Sequence, residues 1–211
     1  MDRIYEIACE LSSIPAVSGR EDMGLHRLAE LCGDYFDRYE LTPVGSFIGR
    51  IDCGRIGAKT LLFDAHFDEV GFFVSEICEG GFLKVVNIGG IDPRILSASE
   101  VLIYGKRTIT GVFTSKPPHL QEPGESEKPI KLTDLAVDTG YLKEQLSEIV
   151  SIGTPVAYKS PVERLQGDYI TGKSFDDRIC IAAILRALEF LKEKELPVNI
   201  AVQFSGGEEI G

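Results

Sequence analysis

Apolar residues recur at helical spacing where the chain begins. Ile4, Ile7, Ala8 and Leu11 predict an amphipathic helix, and Pro15 stops it. Leu25, Leu28, Ala29 and Cys32 repeat the spacing and predict a second helix, after a loop at Ser18-Gly19-Arg20-Glu21. The period then shortens. Phe47 to Ile51 and Thr60 to Ala65 read as strands, with Gly54 and Gly57 marking the turn between them. The run Thr60-Leu61-Leu62-Phe63 has no polar alternation beyond its first residue, which predicts a strand buried on both faces.

From Val70 to about Tyr158 the strand-like pieces are short and closely spaced: Val70 to Ile77, Phe82 to Asn87, Val101 to Tyr104 and Thr108 to Phe113. Gly80-Gly81 and Gly89-Gly90 supply turns, and the polar stretch from Lys116 to Pro129, with four prolines, reads as a loop. Helical spacing returns at Ile181, Ile184, Leu185 and Leu188, in a helix predicted from Asp176 to about Lys194. Val198, Ile200, Val202 and Phe204 alternate as a strand, and Ser205 to Gly211 forms a turn. The pattern is α/β, with a β-rich section set into it and no internal repeat.

Composition narrows this only slightly. A chain of 211 residues with 44% hydrophobic and 26% charged positions is ordinary for a globular protein. The net charge of −11 argues against a nucleic-acid partner. No apolar run approaches the length of a membrane span, and the N-terminus lacks a signal-peptide pattern, so no membrane association is expected. Five cysteines with no C-x-x-C pair predict reduced thiols in a cytoplasmic protein.

Three polar clusters fall at predicted strand ends or at a helix start. They are Asp64-Ala65-His66-Phe67-Asp68-Glu69, Ser174-Phe175-Asp176-Asp177-Arg178 and Glu208-Glu209. In open α/β sheets the carboxyl ends of strands border the ligand crevice, so His66, Asp176 and the two glutamates are predicted to converge. One imidazole among carboxylates is the donor set of a hydrolytic divalent-cation site. Asp68, two residues beyond His66, is suited to accept the second ring N–H. Each cluster alone has a plainer reading. A single histidine is more often structural, paired acids favour helix N-termini, and adjacent glutamates are often solvated turn charge. His26 and His119 take that plainer reading outright. What favours chemistry is that all three clusters meet at one predicted edge.

Asp64 to Phe72, read with Gly90-Ile91-Asp92-Pro93-Arg94-Ile95-Leu96, resembles the motifs of the M42 aminopeptidases, the tetrahedral or glutamyl aminopeptidase family. Lys116-Pro117-Pro118-His119-Leu120, Gly172 to Arg178 and Gly207-Glu208-Glu209-Ile210-Gly211 follow in the same order and at similar distances. The resemblance implies a catalytic domain of mixed sheet and flanking helices, residues 1–68 plus 161–211. A β-rich insertion over 69–160 would serve for oligomerisation or as a lid. It implies two divalent ions, zinc or cobalt, with His66 on one, Glu209 on the other and Asp176 between them. Glu208 is then the general base that deprotonates the attacking water and returns the proton to the leaving amine. Asp68 supports the His66 imidazole and is grouped with the catalytic residues. The resemblance also implies peptide substrates, a homo-oligomer and a cis peptide after Asp176.

Members of that family continue past the glutamate motif to a further aspartate and a final histidine. This chain is therefore expected to be C-terminally truncated relative to them. Two alternatives stay open: a non-catalytic chain that keeps the fold and its assembly surface, and a glycoside hydrolase, since relatives are often labelled endoglucanases. The latter needs two carboxyl groups roughly 5–10 Å apart across a sugar cleft.

Overall fold

In the computed structural model the described residues are 2–117, 119, 124 and 129–210. Helix α1 (Asp2–Ser13) buries Ile7, Ala8 and Leu11, and α2 (Leu25–Cys32) buries Leu25, Leu28, Ala29 and Cys32. These are the stripes that the spacing predicts. Strand β1 (Arg38–Leu41) forms an antiparallel hairpin with β2 (Phe47–Ile51). β1 escapes the sequence pattern because it buries no residue fully and so shows no alternation. Strand β3 (Thr60–His66) follows and ends at the predicted histidine.

The chain divides into two compact units. One runs through Glu69 and resumes over Pro161–Ile210; the other is Val70–Ser160. The second unit is a closed, wholly antiparallel barrel of β4 (Gly71–Ile77), β5 (Phe82–Ile88), β6 (Glu100–Tyr104), β7 (Thr108–Thr114), β8 (Ala136–Asp138) and β9 (Pro155–Tyr158). Around the barrel the strands run β4-β5-β8-β7-β6-β9, and β9 closes onto β4. Closure leaves no free sheet edge. Phe72, Val74, Leu83, Val101, Ile103, Phe113, Val137 and Val156 fill the interior, and α3 (Lys143–Ile149) adds Leu146. Gly80, Gly81 and Gly89 all take positive φ at the predicted turns. The proline-rich stretch and its Lys116 to Leu120 motif lie partly outside the described residues.

The chain then re-enters the first unit through a two-residue ladder of β10 (Glu163–Arg164) and β11 (Ile170–Thr171). Helix α4 (Phe175–Leu191) buries Arg178, Ile181, Ala182, Leu185 and Leu188. Strand β12 (Asn199–Ser205) inserts between β2 and β3, giving a four-stranded sheet ordered β1-β2-β12-β3. β12 is antiparallel to β2 and parallel to β3, so the sheet is mixed as expected. Phe47, Ala65, Ile200, Val202 and Phe204 pack with α1, α2 and α4 into one core.

One expectation fails at β3. The sequence predicts burial on both faces, yet Leu61, Leu62 and Phe63 are 48%, 59% and 38% exposed. The reason is pairing: among the described residues β3 is a terminal strand whose only ladder partner is β12. An apolar run shows what a strand tolerates, whereas its neighbours decide what it buries. Among the described residues no helix is long and apolar enough to cross a membrane. All five cysteines are free thiols.

An open, apolar strand edge templates non-native pairing. Leu62→Lys is therefore expected to slow aggregation of the chain, read by light scattering over time. The same substitution should change unfolding free energy by no more than about 0.5 kcal/mol, because the side chain is already mostly exposed. Leu185→Ala, in the core, should cost about 2–5 kcal/mol by denaturant unfolding.

Candidate metal centre

Parallel pairing brings the carboxyl ends of β3 and β12 to the same edge. Ser205 stands opposite His66, and the Phe67 amide donates to the Ser205 carbonyl at 2.7 Å. Beyond this register both chains leave the sheet, β3 into Phe67-Asp68-Glu69 and β12 into Gly206 to Ile210. The first turn of α4 reaches the same edge, and the Asp176-Asp177 peptide there is cis. Every residue of this centre belongs to the first unit.

His66 is 8% exposed. Its Nδ1 lies 3.1 Å from the Asp68 backbone carbonyl, an acceptor only, so that nitrogen carries the proton and donates. Nε2 then faces carboxylates, with Asp176 Oδ1 at 3.2 Å and Glu208 Oε2 at 3.9 Å. A lone pair pointed at anionic oxygens requires a positive charge between them, either a second proton or a cation. Burial works against a charged ring, but the Asp176 bond and the charges of Asp68 and Glu208 outweigh it and raise the His66 pKa.

Donor atoms of His66, Glu208 and Glu209 lie within 4.8 Å of one another. Asp176 touches His66 but stands outside that triplet. Burial lifts the Glu209 pKa, as do the charges of Glu208, Asp176 and Asp68, against an opposing pull from His66. Crowded carboxylates beside an acceptor nitrogen fit a divalent cation. The carboxylates converge on the imidazole, which is not the arrangement of two acids flanking a sugar bond.

Asp68 does more than the sequence suggests. It is 0% exposed, and its Oδ1 is 3.5 Å from His66 Nδ1, farther than its own carbonyl. Its carboxylate accepts the backbone amides of Glu208 at 3.2 Å and Glu209 at 2.9 Å. One side chain thus ties the histidine strand to the glutamate turn.

Sequence reasoning gave no role to the charges beneath. Arg178, 1% exposed, donates from Nε to the Phe67 carbonyl at 2.8 Å, and from one terminal nitrogen to the carbonyls of Leu11 at 2.7 Å and Ile14 at 2.6 Å. Its other terminal nitrogen is 3.6 Å from Glu69 Oε1. Lys173 Nζ lies 2.5 Å from Glu69 Oε2, which also accepts the Ser174 hydroxyl. Burial pushes the Glu69 carboxyl up, but Arg178 and Lys173 more than reverse this, leaving it below the usual carboxylate range. Lys173 is held below its ordinary value by burial and by Arg178, with Glu69 opposing. All three residues adjoin or sit within the polar clusters, and that adjacency was the available signal.

Comparison with known proteins follows the same lines. The model of the M42 glutamyl aminopeptidases matches residues 45–211. The lysyl aminopeptidase of Pyrococcus furiosus is 29% identical over 98% of this chain and 60% of its own length. An aminopeptidase from the archaeon Desulfurococcus kamchatkensis superposes with a TM-score of 0.90 at 32% identity, over 100% of this chain and 57% of that one. A Pyrococcus horikoshii TET1 peptidase, described as assembling into a tetrahedron or a large octahedral shell, gives 0.85 at 29% identity over 99% and 62%. The chain thus spans about three fifths of the length of these relatives.

Removing Glu69 leaves two buried cations without their counter-charge. Glu69→Ala is expected to cost about 3–5 kcal/mol by denaturant unfolding at pH 7. A carboxyl depressed in the folded state stabilises above its unfolded pKa, near 4.3, and that stabilisation is lost as pH falls through the folded value. The gap between Glu69→Ala and the parent chain should therefore narrow in acid. A gap independent of pH between 7 and 3 would refute this account.

Proposed function

Since this chain belongs to the M42 glutamyl aminopeptidase family, we propose that it carries the cation-binding and proton-transferring part of a metal-dependent aminopeptidase acting on peptide N-termini. The observation that supports this most is the triplet of His66, Glu208 and Glu209 donors within 4.8 Å, with Asp176 Oδ1 3.2 Å from His66 Nε2. His66, Asp176 and Glu209 would hold the ions, zinc or cobalt, and Glu208 would be the base. Bound divalent ions acidify water and polarise a carbonyl.

The protein's own part is orientation and proton transfer. The Asp68 carbonyl fixes the His66 tautomer so that Nε2 is the donor atom. The Asp68 carboxylate holds the Glu208 and Glu209 amides, which sets where both side chains leave the backbone. Glu208 is the more exposed of the pair, which supports its role as the base that would take a proton from the attacking water and return it to the departing amine.

The second unit, Val70–Ser160, is the proposed assembly or lid element, giving a cytoplasmic homo-oligomer. The TET1 peptidase's shells support this, as do the exposed Val86, Ile95, Leu142 and Ile152 on that unit.

The test is hydrolysis of aminoacyl-p-nitroanilides with added cobalt or zinc. It compares the 211-residue chain with one extended through the aspartate and histidine that the resemblance implies. Turnover is expected only from the extended chain, and Glu208→Gln there should lower kcat about 10²–10⁴-fold with KM little changed. Robust turnover by the short chain, abolished by Glu208→Gln, would overturn the dependence on length and keep the base. Turnover indifferent to Glu208→Gln would remove the base assignment.

A further inference from the structure

The turn that carries both glutamates is held by its backbone amides. Four successive N–H groups each donate to a side-chain oxygen. Gly206 donates to Ser46 Oγ at 3.2 Å, and Gly207 to Glu21 Oε1 at 2.9 Å. Glu208 and Glu209 donate to the two oxygens of Asp68 at 3.2 and 2.9 Å. The three acceptor residues come from separate segments: the turn after α1, the β1–β2 hairpin and the segment just beyond β3.

Glu21 is the unexpected member. It is 5% exposed, and the same Oε1 also accepts the Gly19 amide at 3.0 Å, which fixes the carboxylate from its own side. The fit around it is close. A Cβ at Gly206 would stand 2.9 Å from the Gly45 carbonyl and 3.0 Å from Glu21 Cγ, and one at Gly45 would meet Glu21 Cβ at 2.7 Å. Gly45 and Gly207 both take positive φ, so the turn needs glycine for conformation as well as for space. Two backbone amides, those of Gly19 and Gly207, answer the buried Glu21 oxygen. Gly207 immediately precedes Glu208, so the Glu21 bond fixes the peptide plane from which that side chain departs.

We propose that Glu21 is a positioning residue which, with Ser46 and Asp68, clamps the Gly206–Glu209 backbone and so sets the direction of both metal-centre glutamates. It touches neither ion nor substrate. Its role is served by an oxygen at the right reach, not by charge. The proposal rests on the reading of Glu208 and Glu209 given above, but its first readout does not.

The experiment compares the parent chain with Glu21→Ala, Glu21→Gln and Glu21→Asp. Two quantities are measured: amide hydrogen exchange at Gly206 to Glu209 by NMR, and cobalt(II) binding followed by its d–d absorption. Glu21→Ala should speed exchange at Gly207 at least about tenfold while core amides of α1 and α4 stay protected. It should also weaken cobalt binding about 10–100-fold, the range for losing a partner that orients a ligand. Glu21→Gln keeps the acceptor and should restore both. Glu21→Asp keeps the charge but withdraws the oxygen by one methylene, so it should resemble Ala; it also serves if Ala does not fold. Unchanged Gly207 exchange in Ala, or an Asp variant equal to the parent, overturns the proposal. A changed exchange rate with no cobalt binding by any variant, either at 211 residues or extended through the further aspartate and histidine, keeps the clamp and rejects the metal reading.

Discussion

A guanidinium taken out of water costs several kcal/mol unless oxygens are turned toward it from all sides. Arg178 is such a group, and the segments that supply its oxygens are the ones whose meeting creates the centre. The carbonyls of Leu11 and Ile14 lie at the end of α1 and just beyond it, and that of Phe67 follows His66. Arg178 itself lies two residues past Asp176, in the first turns of α4. Satisfying one buried cation therefore places Asp176 against His66, and Glu69 completes the neutralisation with Lys173. The ring of Phe67 under the guanidinium, 4.8 Å away, adds a cation–π contact to the same joint.

The acids of this region divide by what answers them. Glu69 is answered by two cations, Asp68 by two backbone amides, and Glu21 by amides from its own loop and from the glutamate turn. All three are buried, and none has an open coordination direction facing solvent. Asp176 and Glu208 are the reverse, with side chains 90% and 62% exposed and turned toward the imidazole. Buried acids act as framework and exposed ones face the imidazole. Concentrating so many carboxylates also makes the edge attractive to a cation before any specific contact forms.

Much of this was legible in the chain. Helical spacing located α1, α2 and α4, alternation located β12, and short apolar runs between glycine turns located β2, β3 and most of the barrel strands. The convergence of His66 with Glu208 and Glu209 followed from strand ends, since parallel pairing is what an α/β alternation implies. What stayed hidden is pairwise and distant. Arg178 and Leu11 are 167 positions apart and Glu21 and Gly207 are 186 apart, and no local period records such a contact. The exposure of Leu61 to Phe63 was hidden for a related reason: composition reports affinity for burial, while topology decides whether cover exists. Short strands such as β8 and β10 carry too few residues to show any period at all.

The two halves of β3 show why the centre can be in place on a strand with an open edge. Its first five residues are exposed, whereas Ala65 and His66 are buried, 3% and 8% exposed. Those last two residues are held by the β12 register on one side and by the peptide that follows them, where Phe67 meets Arg178 and Glu69 pairs with the segment after α1. None of these restraints uses the outer edge. Cover along Leu61 to Phe63 therefore bears on solubility and on the stability of the sheet, while the angle at which His66 faces the glutamates is fixed from inside the first unit. The donor triplet is accordingly a property of how β3 meets β12 and the turn beyond it, and it is already expressed by a chain three fifths as long as its relatives.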